Sequence, residues 1–227
     1  PTVVHTDDGD LPADLVVLGL GVTPNVELAA AAGVVVGPSG AVAVDRRQRT
    51  SAEGVWAAGD CCESFHLVSR RPVHVPLGTH ANKQGRVAGI DIGGGCASFP
   101  GVVGTAVTKV CATEVARTGL SEIQAQQAGF AYASARITST TRAGYYPGAG
   151  QITVKMLAER GTGRVLGAQL VGVEGAAKRI DVVAVAVTAG MTVEELVGLD
   201  LSYAPPFSPV WDPVQVAARK LAGSVDR

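Results

Sequence analysis

The sequence predicts an α/β portion followed by an α+β portion whose sheet is antiparallel. Three observations carry this. Short apolar runs closing on Gly, Asp or Asn alternate with amphipathic stretches in the first part of the chain. A Gly/Pro-rich connection, residues 93–101 (GGGCASFPG), then interrupts the pattern. Beyond it, strand-like segments follow one another with only two helical patterns among them. The 227 residues are 47% hydrophobic yet only 4% aromatic, with 29 glycines, so the apolar content is mostly small and suits close-packed elements joined by tight turns. Nineteen basic against 20 acidic residues leave a net charge of -1 with no basic run, which argues against nucleic acid as a partner. No stretch approaches the roughly 18–20 apolar residues that a spanning helix needs, and residues 1–10 lack the charge and apolar core of a signal peptide. A cytoplasmic protein with a small-molecule partner, or a second copy of itself, is the expectation, with no membrane association.

Element by element, residues 14–20 (DLVVLGL) read as a buried strand ending in a turn at Gly21, Pro24 and Asn25. Asn25 is positioned to N-cap a helix over 26–32, which Gly33 would end. Residues 41–45 (AVAVD) alternate like a strand, 50–53 turn, and 54–60 (GVWAAGD) form an apolar run closing on Gly59 and Asp60. In open α/β sheets ligands lie outside the carboxyl ends of strands, so Asp60 stands where a cofactor can be held; a turn or capping aspartate is the alternative. Residues 74–78 lead into a helix over 79–92 with Thr79 as its N-cap and Lys83, Gln84 and Arg86 on a polar face. The unpaired N–H groups of such a helix start can bind an anion or an electron-rich ring edge, although a simple capped helix fits the spacing equally. A domain boundary falls just beyond Gly101. Residues 105–110, 130–138, 151–157 and 165–173 then read as strands, and 121–128 and 176–189 as helices.

Cys61, Cys62, Cys96 and Cys111 form neither a C-x-x-C pair nor a zinc-type Cys/His set. They are expected to be reduced, buried thiols without a catalytic role, and no metal is expected.

Three blocks in order, TSAEGVWAAGD at 50–60, PLGTHANKQGR at 76–86 and SYAPPFS at 202–208, with GYYPG at 144–148 in support, carry a resemblance over the whole chain. It resembles the FAD-dependent pyridine nucleotide-disulfide oxidoreductases, in the branch of coenzyme A-disulfide reductases and NADH oxidases or peroxidases. The resemblance implies the C-terminal half of a flavoprotein with two dinucleotide-binding domains. On it, 1–37 would be the end of an NAD(P)-binding domain, 38–103 the second part of an FAD-binding domain, and 104–227 a dimerisation domain. The family's G-x-G-x-x-G turn and redox cysteine do not occur in this sequence, Pro24 standing where the third glycine after Gly19 and Gly21 would be. A C-terminal portion, inactive by itself, is therefore expected, with FAD as cofactor and NAD(P)H as co-substrate of the full-length enzyme.

Carried over residue by residue, the resemblance implies that Gly59 and Asp60 meet the ribityl and pyrophosphate side of FAD, and that Leu77, Gly78 and Thr79 run beside the isoalloxazine. Tyr145 and Tyr203 would reach the partner subunit's active site to bond or protonate a thiolate, with Tyr146 as the substitute for Tyr145. Phe207 would border the neighbouring flavin. Trp211 stands where several members of the branch carry lysine; it supplies no charge, which weakens coenzyme A as substrate, although an indole can stack on adenine. All four histidines lie at or before position 80, so an acid/base pair built on a C-terminal histidine is not supported. A homodimer through the C-terminal domain and a thiol, disulfide or other small-molecule substrate are implied. The alternatives are a non-catalytic dimerisation module derived from the family and, on GLGVTPN alone, a small nicotinamide-binding protein.

Overall fold

QITVKMLAE alternates over its first residues and VLGAQLVG is a short, mostly apolar run, and both read as strands. The computed structural model, which describes residues 2–225, builds its core on these two strands. In chain order the elements are β1 (Thr2–Thr6), β2 (Gly9–Ala13), α1 (Glu27–Ala31), β3 (Ser64–Phe65), β4 (Pro72–Val73) and α2 (Gly78–Ile92). These are followed by β5 (Ala106–Val110), β6 (Thr113–Gly119), α3 (Glu122–Gln127), β7 (Tyr132–Thr140), β8 (Gln151–Glu159), β9 (Val165–Gly172), α4 (Ala176–Ala189), α5 (Val193–Val197) and α6 (Pro213–Val225).

β5 to β9 form one sheet in the order β5-β6-β9-β8-β7, antiparallel at every step. α4 lies on β6 and β9, and α6 on β7 and β8. Ile152, Met156, Leu166 and Leu170 of the sheet meet Ile180 and Val183 of α4 and Val214 and Leu221 of α6, all fully buried. Each large aliphatic side chain so covered contributes about 1.5–3 kcal/mol. β6 meets β9 closely: a Cβ on Gly167 would collide with the Leu120 carbonyl oxygen, so no side chain fits there. Ser121 and Thr192 begin α3 and α5 with capping boxes that close on Gln124 and Glu195.

Four expectations need correction. Residues 14–20 form no strand; Leu15, Val17, Leu18 and Leu20 are 76–88% exposed, because no described strand lies beside them to complete a ladder. Residues 41–45 and 54–60 hold isolated bridges, Val42 to both Val36 and Cys62 and Trp56 to Arg49, instead of continuous strands. Asn25 and Thr79 are not caps. Val26 and Leu77 stand at those positions, neither with a side-chain cap, although Gly33 does follow the end of α1 at φ 79°. Of the cysteines, only Cys62 is buried; Cys96 and Cys111 sit on loop and turn and are exposed. β6, α5 and α6 lie outside the sequence reading altogether.

In the first part, the loop over 45–57 is fastened to the end of α2. The Asp91 side chain, 1% exposed, accepts from Arg49 Nε at 2.5 Å and Nη2 at 3.0 Å, and from Trp56 Nε1 at 2.9 Å. Arg49 first, then Trp56, hold its carboxyl below the usual carboxylate range.

Candidate functional site

The Gly59–Asp60 turn sits directly against α2. Gly59 adopts φ 84°, and a Cβ there would press on the Ala81 Cβ at 3.2 Å, so glycine allows both the turn and the close approach. Its N–H donates to Gln84 Oε1 at 2.9 Å, and Gln84 Nε2 donates to Ser64 Oγ at 3.0 Å. Gln84 is 1% exposed. On the other side of the turn, His74 Nε2 lies 2.8 Å from the Asp60 carbonyl oxygen; the oxygen can only accept, so that nitrogen carries the proton. The Asp60 carboxylate itself faces solvent. Leu77 is extended (φ -136°, ψ 135°) with no side-chain cap, and Gly78 and Thr79 follow it, exposed, in the first turn of α2. The positive end of a 15-residue helix and an open carboxylate are thus held side by side.

Cys62, just past Asp60, is structural. Burial pushes its thiol up to about 12, and Sγ donates to the Gly59 carbonyl at 3.4 Å. Burial also lowers the His80 imidazole below its ordinary range; its Nδ1 donates to the Val75 carbonyl at 3.2 Å. Thr79 opens onto a mostly apolar cleft of about 880 Å³ between α2, residues 98–107 and α4, where Lys83, Val87, Phe99, Val107 and Val185 also line the wall.

A second group forms where the β7–β8 loop meets the loop preceding α6. Ala143 N–H donates to the Pro205 carbonyl at 3.1 Å, joining the two. Arg142 grips Glu174 through Nε at 2.9 Å and Nη2 at 2.5 and 2.6 Å. Arg179 Nη2 donates to the Thr141 carbonyl at 2.8 Å and the Phe207 carbonyl at 2.9 Å, while its Nε pairs with Asp212 at 2.8 Å. These contacts bring the loops of Tyr145 and Tyr203 side by side, and neighbouring Tyr145 holds the Tyr203 phenol above its usual range. Tyr146 turns away, with Arg142 6.0 Å from its ring centroid. Tyr145 and Phe207 are 78% and 77% exposed, and Trp211 is half-covered by Arg219, whose guanidinium lies 4.7 Å from the indole centroid. That cation supplies beside Trp211 the charge that the indole lacks.

The structure therefore joins Gly59, Asp60, Leu77, Gly78 and Thr79 in one group, and Tyr145, Tyr203 and Phe207 in another, with Trp211 at the edge of the second. The two groups share no hydrogen bond among the described residues. Sequence reasoning missed Gln84, His74 and Arg179, which fasten these groups. Gln84 and Arg179 read as surface residues; Gln84 lies within the block at 76–86, whereas Arg179 lies in none of the blocks and carried no signal.

A family model described as "Pyridine nucleotide-disulphide oxidoreductase" matches residues 1–85, and one described as "Pyridine nucleotide-disulphide oxidoreductase, dimerisation domain" matches residues 105–213. The NAD(P)H sulfur oxidoreductase (CoA-dependent) of Pyrococcus furiosus is 44% identical over 218 residues, 96% of this chain and 49% of that protein. The solved NAD-dependent persulfide reductase from A. fulgidus superposes with TM-score 0.91 at 45% identity, covering 97% of this chain and 43% of the other. A FAD-dependent pyridine nucleotide-disulphide oxidoreductase from Desulfovibrio vulgaris gives TM-score 0.78 at 34% identity, covering 98% and 52%. The chain spans about half the length of the curated relatives it matches.

Proposed function

The chain belongs to the pyridine nucleotide-disulphide oxidoreductase family, and from that premise we propose that it supplies part of an FAD site and the subunit interface of an NAD(P)H-dependent oxidoreductase. The substrate class is a disulfide, persulfide or sulfenate, or oxygen, in keeping with the sulfur-reducing relatives. In this reading residues 1–37 close the nicotinamide-binding domain, 38–103 complete the FAD domain, and 104–227 form the dimerisation domain.

The observation that carries the reading is the locking of the Gly59–Asp60 turn against the first turn of α2. These residues fit FAD. A solvent-facing carboxylate is the acceptor that ribityl hydroxyls need, Gly59 leaves no side chain in the approach, and the uncapped amides of Gly78 and Thr79 offer donors at the positive end of a helix. When bound, FAD accepts hydride from NAD(P)H and passes the electrons to the sulfur or oxygen acceptor.

The protein's own part is to position and to move protons. The amides of Gly78 and Thr79 at the start of α2 would hold FAD there and would stabilise negative charge on it without reorganising. Leu77 precedes them in extended conformation and would help to hold FAD beside these amides. Tyr203 and Tyr145 form a phenol pair that donates to a developing thiolate in the second subunit of a C2 dimer, where Phe207 covers the flavin. The cleft beside Thr79 receives those aromatic loops. Trp211, with Arg219 over it, offers a flat and positively charged surface to an adenine nucleotide.

The 227 residues contain no G-x-G-x-x-G turn, and Cys62 is too buried to serve as nucleophile, so NADH oxidation by this chain with added FAD is expected to stay at background. Light scattering is expected to give a dimer. Robust turnover, or a strict monomer at high concentration, would overturn this division of labour.

A further inference from the structure

Arg179 occupies an unfavourable place for a cation. It lies in the first turn of α4, at the positive end of the helix dipole, and its side chain is only 12% exposed. Its partner Asp212 is equally covered at 13%, and a buried ion pair of this kind adds little net stability over apolar packing. The fold nonetheless makes room for it. Gly175 takes φ 76°, and a Cβ there would collide with Arg179 Nη1.

The guanidinium spends its donors on three acceptors in two loops. Thr141 opens the loop that carries Tyr145; Phe207 lies four residues beyond Tyr203; Asp212 caps α6 by accepting from Val214 N–H at 2.9 Å and also takes the Ser208 hydroxyl at 3.2 Å. A planar fork can serve all three at once, whereas a lysine ammonium on a flexible stem cannot. Among the described residues, Arg142, Glu174, Arg179, Asp212 and, over Trp211, Arg219 are charged groups of this corner, and of these Arg179 is the one that bonds both tyrosine loops.

We propose that Arg179 is a positioning residue that ties together the two loops bearing Tyr145 and Tyr203, so that the two phenols stand beside each other at the mouth of the site. The functional meaning of the pair rests on the function proposed above; the positioning itself does not. Tyr145 is 78% exposed against 46% for Tyr203, so its hydroxyl is the more open of the two toward a substrate.

The test follows phenol ionisation in the 227-residue chain by ultraviolet difference absorbance against pH. The chain has four tyrosines, and the Tyr203→Phe difference assigns the signal of interest. Wild-type Tyr203 is expected to ionise above the ordinary value of about 10. Tyr145→Phe, which removes its partner, and Arg179→Met, which frees both loops, should each bring it back toward that value. Where Arg179→Met does not fold, Arg179→Lys decides: it keeps the charge beside Asp212, releases at least one loop carbonyl, and should still lower the Tyr203 ionisation. Tyr203 titrating as in wild type in a folded Arg179 variant would overturn the proposal, as would an unchanged titration in Tyr145→Phe. The measurement needs neither flavin nor NAD(P)H, so it separates a failure of positioning from a failure of FAD binding.

Discussion

Replacing Gln84 with methionine keeps the length of the side chain and removes its two polar functions. Gly59 N–H loses its acceptor at 2.9 Å and Ser64 loses its donor at 3.0 Å, in a place where Gln84 is 1% and Ser64 6% exposed. A buried group left without its partner costs about 1–3 kcal/mol; the Ser64 hydroxyl can rotate to recover part of this, and the thioether gains at most about 1 kcal/mol from burial. The net loss is therefore about 1–3 kcal/mol, a factor of roughly 5 to 150 in the unfolding equilibrium. The two tryptophans make the assay local, because Trp56 reports the first part of the chain and Trp211 the second. In urea titrations followed by fluorescence, a Gln84→Met chain carrying Trp211→Phe should show an earlier transition by that amount. The same substitution read through Trp211, with Trp56→Phe, should leave the transition in place. Hydrogen exchange at the Gly59 amide should accelerate at least tenfold. A Trp56 transition moved by less than about 0.5 kcal/mol, with Gly59 still protected, would refute the idea that Gln84 fastens the turn.

Cys62, with its thiol near 12, has roughly one part in ten thousand as thiolate at pH 8. A disulfide reagent should label exposed Cys96 and Cys111 first and Cys62 on the order of a thousandfold more slowly until the chain unfolds; equal rates would contradict its burial. Asp91 ionises below its unfolded value of about 3.9 because Arg49 and Trp56 bond its charged form, so it stabilises the fold above that value and the contribution is lost as pH falls through the lower, folded value. Asp91→Asn should therefore be destabilising at pH 7, with a penalty that shrinks as the solution is brought below about pH 4. A penalty that is constant with pH would dismiss the ion pair as its origin.

What the sequence made legible follows from where the folding information sits. β8 alternates through its first half, β9 is an apolar run buried along most of its length, and α4 keeps one apolar stripe, so local pattern and tertiary burial agree, and the antiparallel sheet was readable. β6 reads TEVARTG, too polar to announce a central strand, and is made one by β5 and β9 on either side. α6 hides behind SPVWDP, whose second proline starts the helix instead of preventing it. Residues 14–20 show the opposite failure: an apolar run becomes a strand only when neighbours complete its ladder. The motif residues Asp60 and Thr79 and the two tyrosines are legible in the sequence as candidates. Their fasteners are not, because glutamine and arginine are usually solvated and nothing local marks Gln84 or Arg179 for burial.

The central claim is that the Gly59–Asp60 turn and the first turn of α2 together receive FAD. Titrating FAD into the isotope-labelled chain and following the amides of Gly59, Asp60, Gly78 and Thr79 by NMR tests it most directly. The account predicts saturable shifts concentrated at those four residues, with weak affinity, and their loss in Asp60→Ala while the spectrum otherwise stays that of the folded chain. Unmoved amides at those positions with millimolar FAD, or shifts that persist in Asp60→Ala, would contradict it.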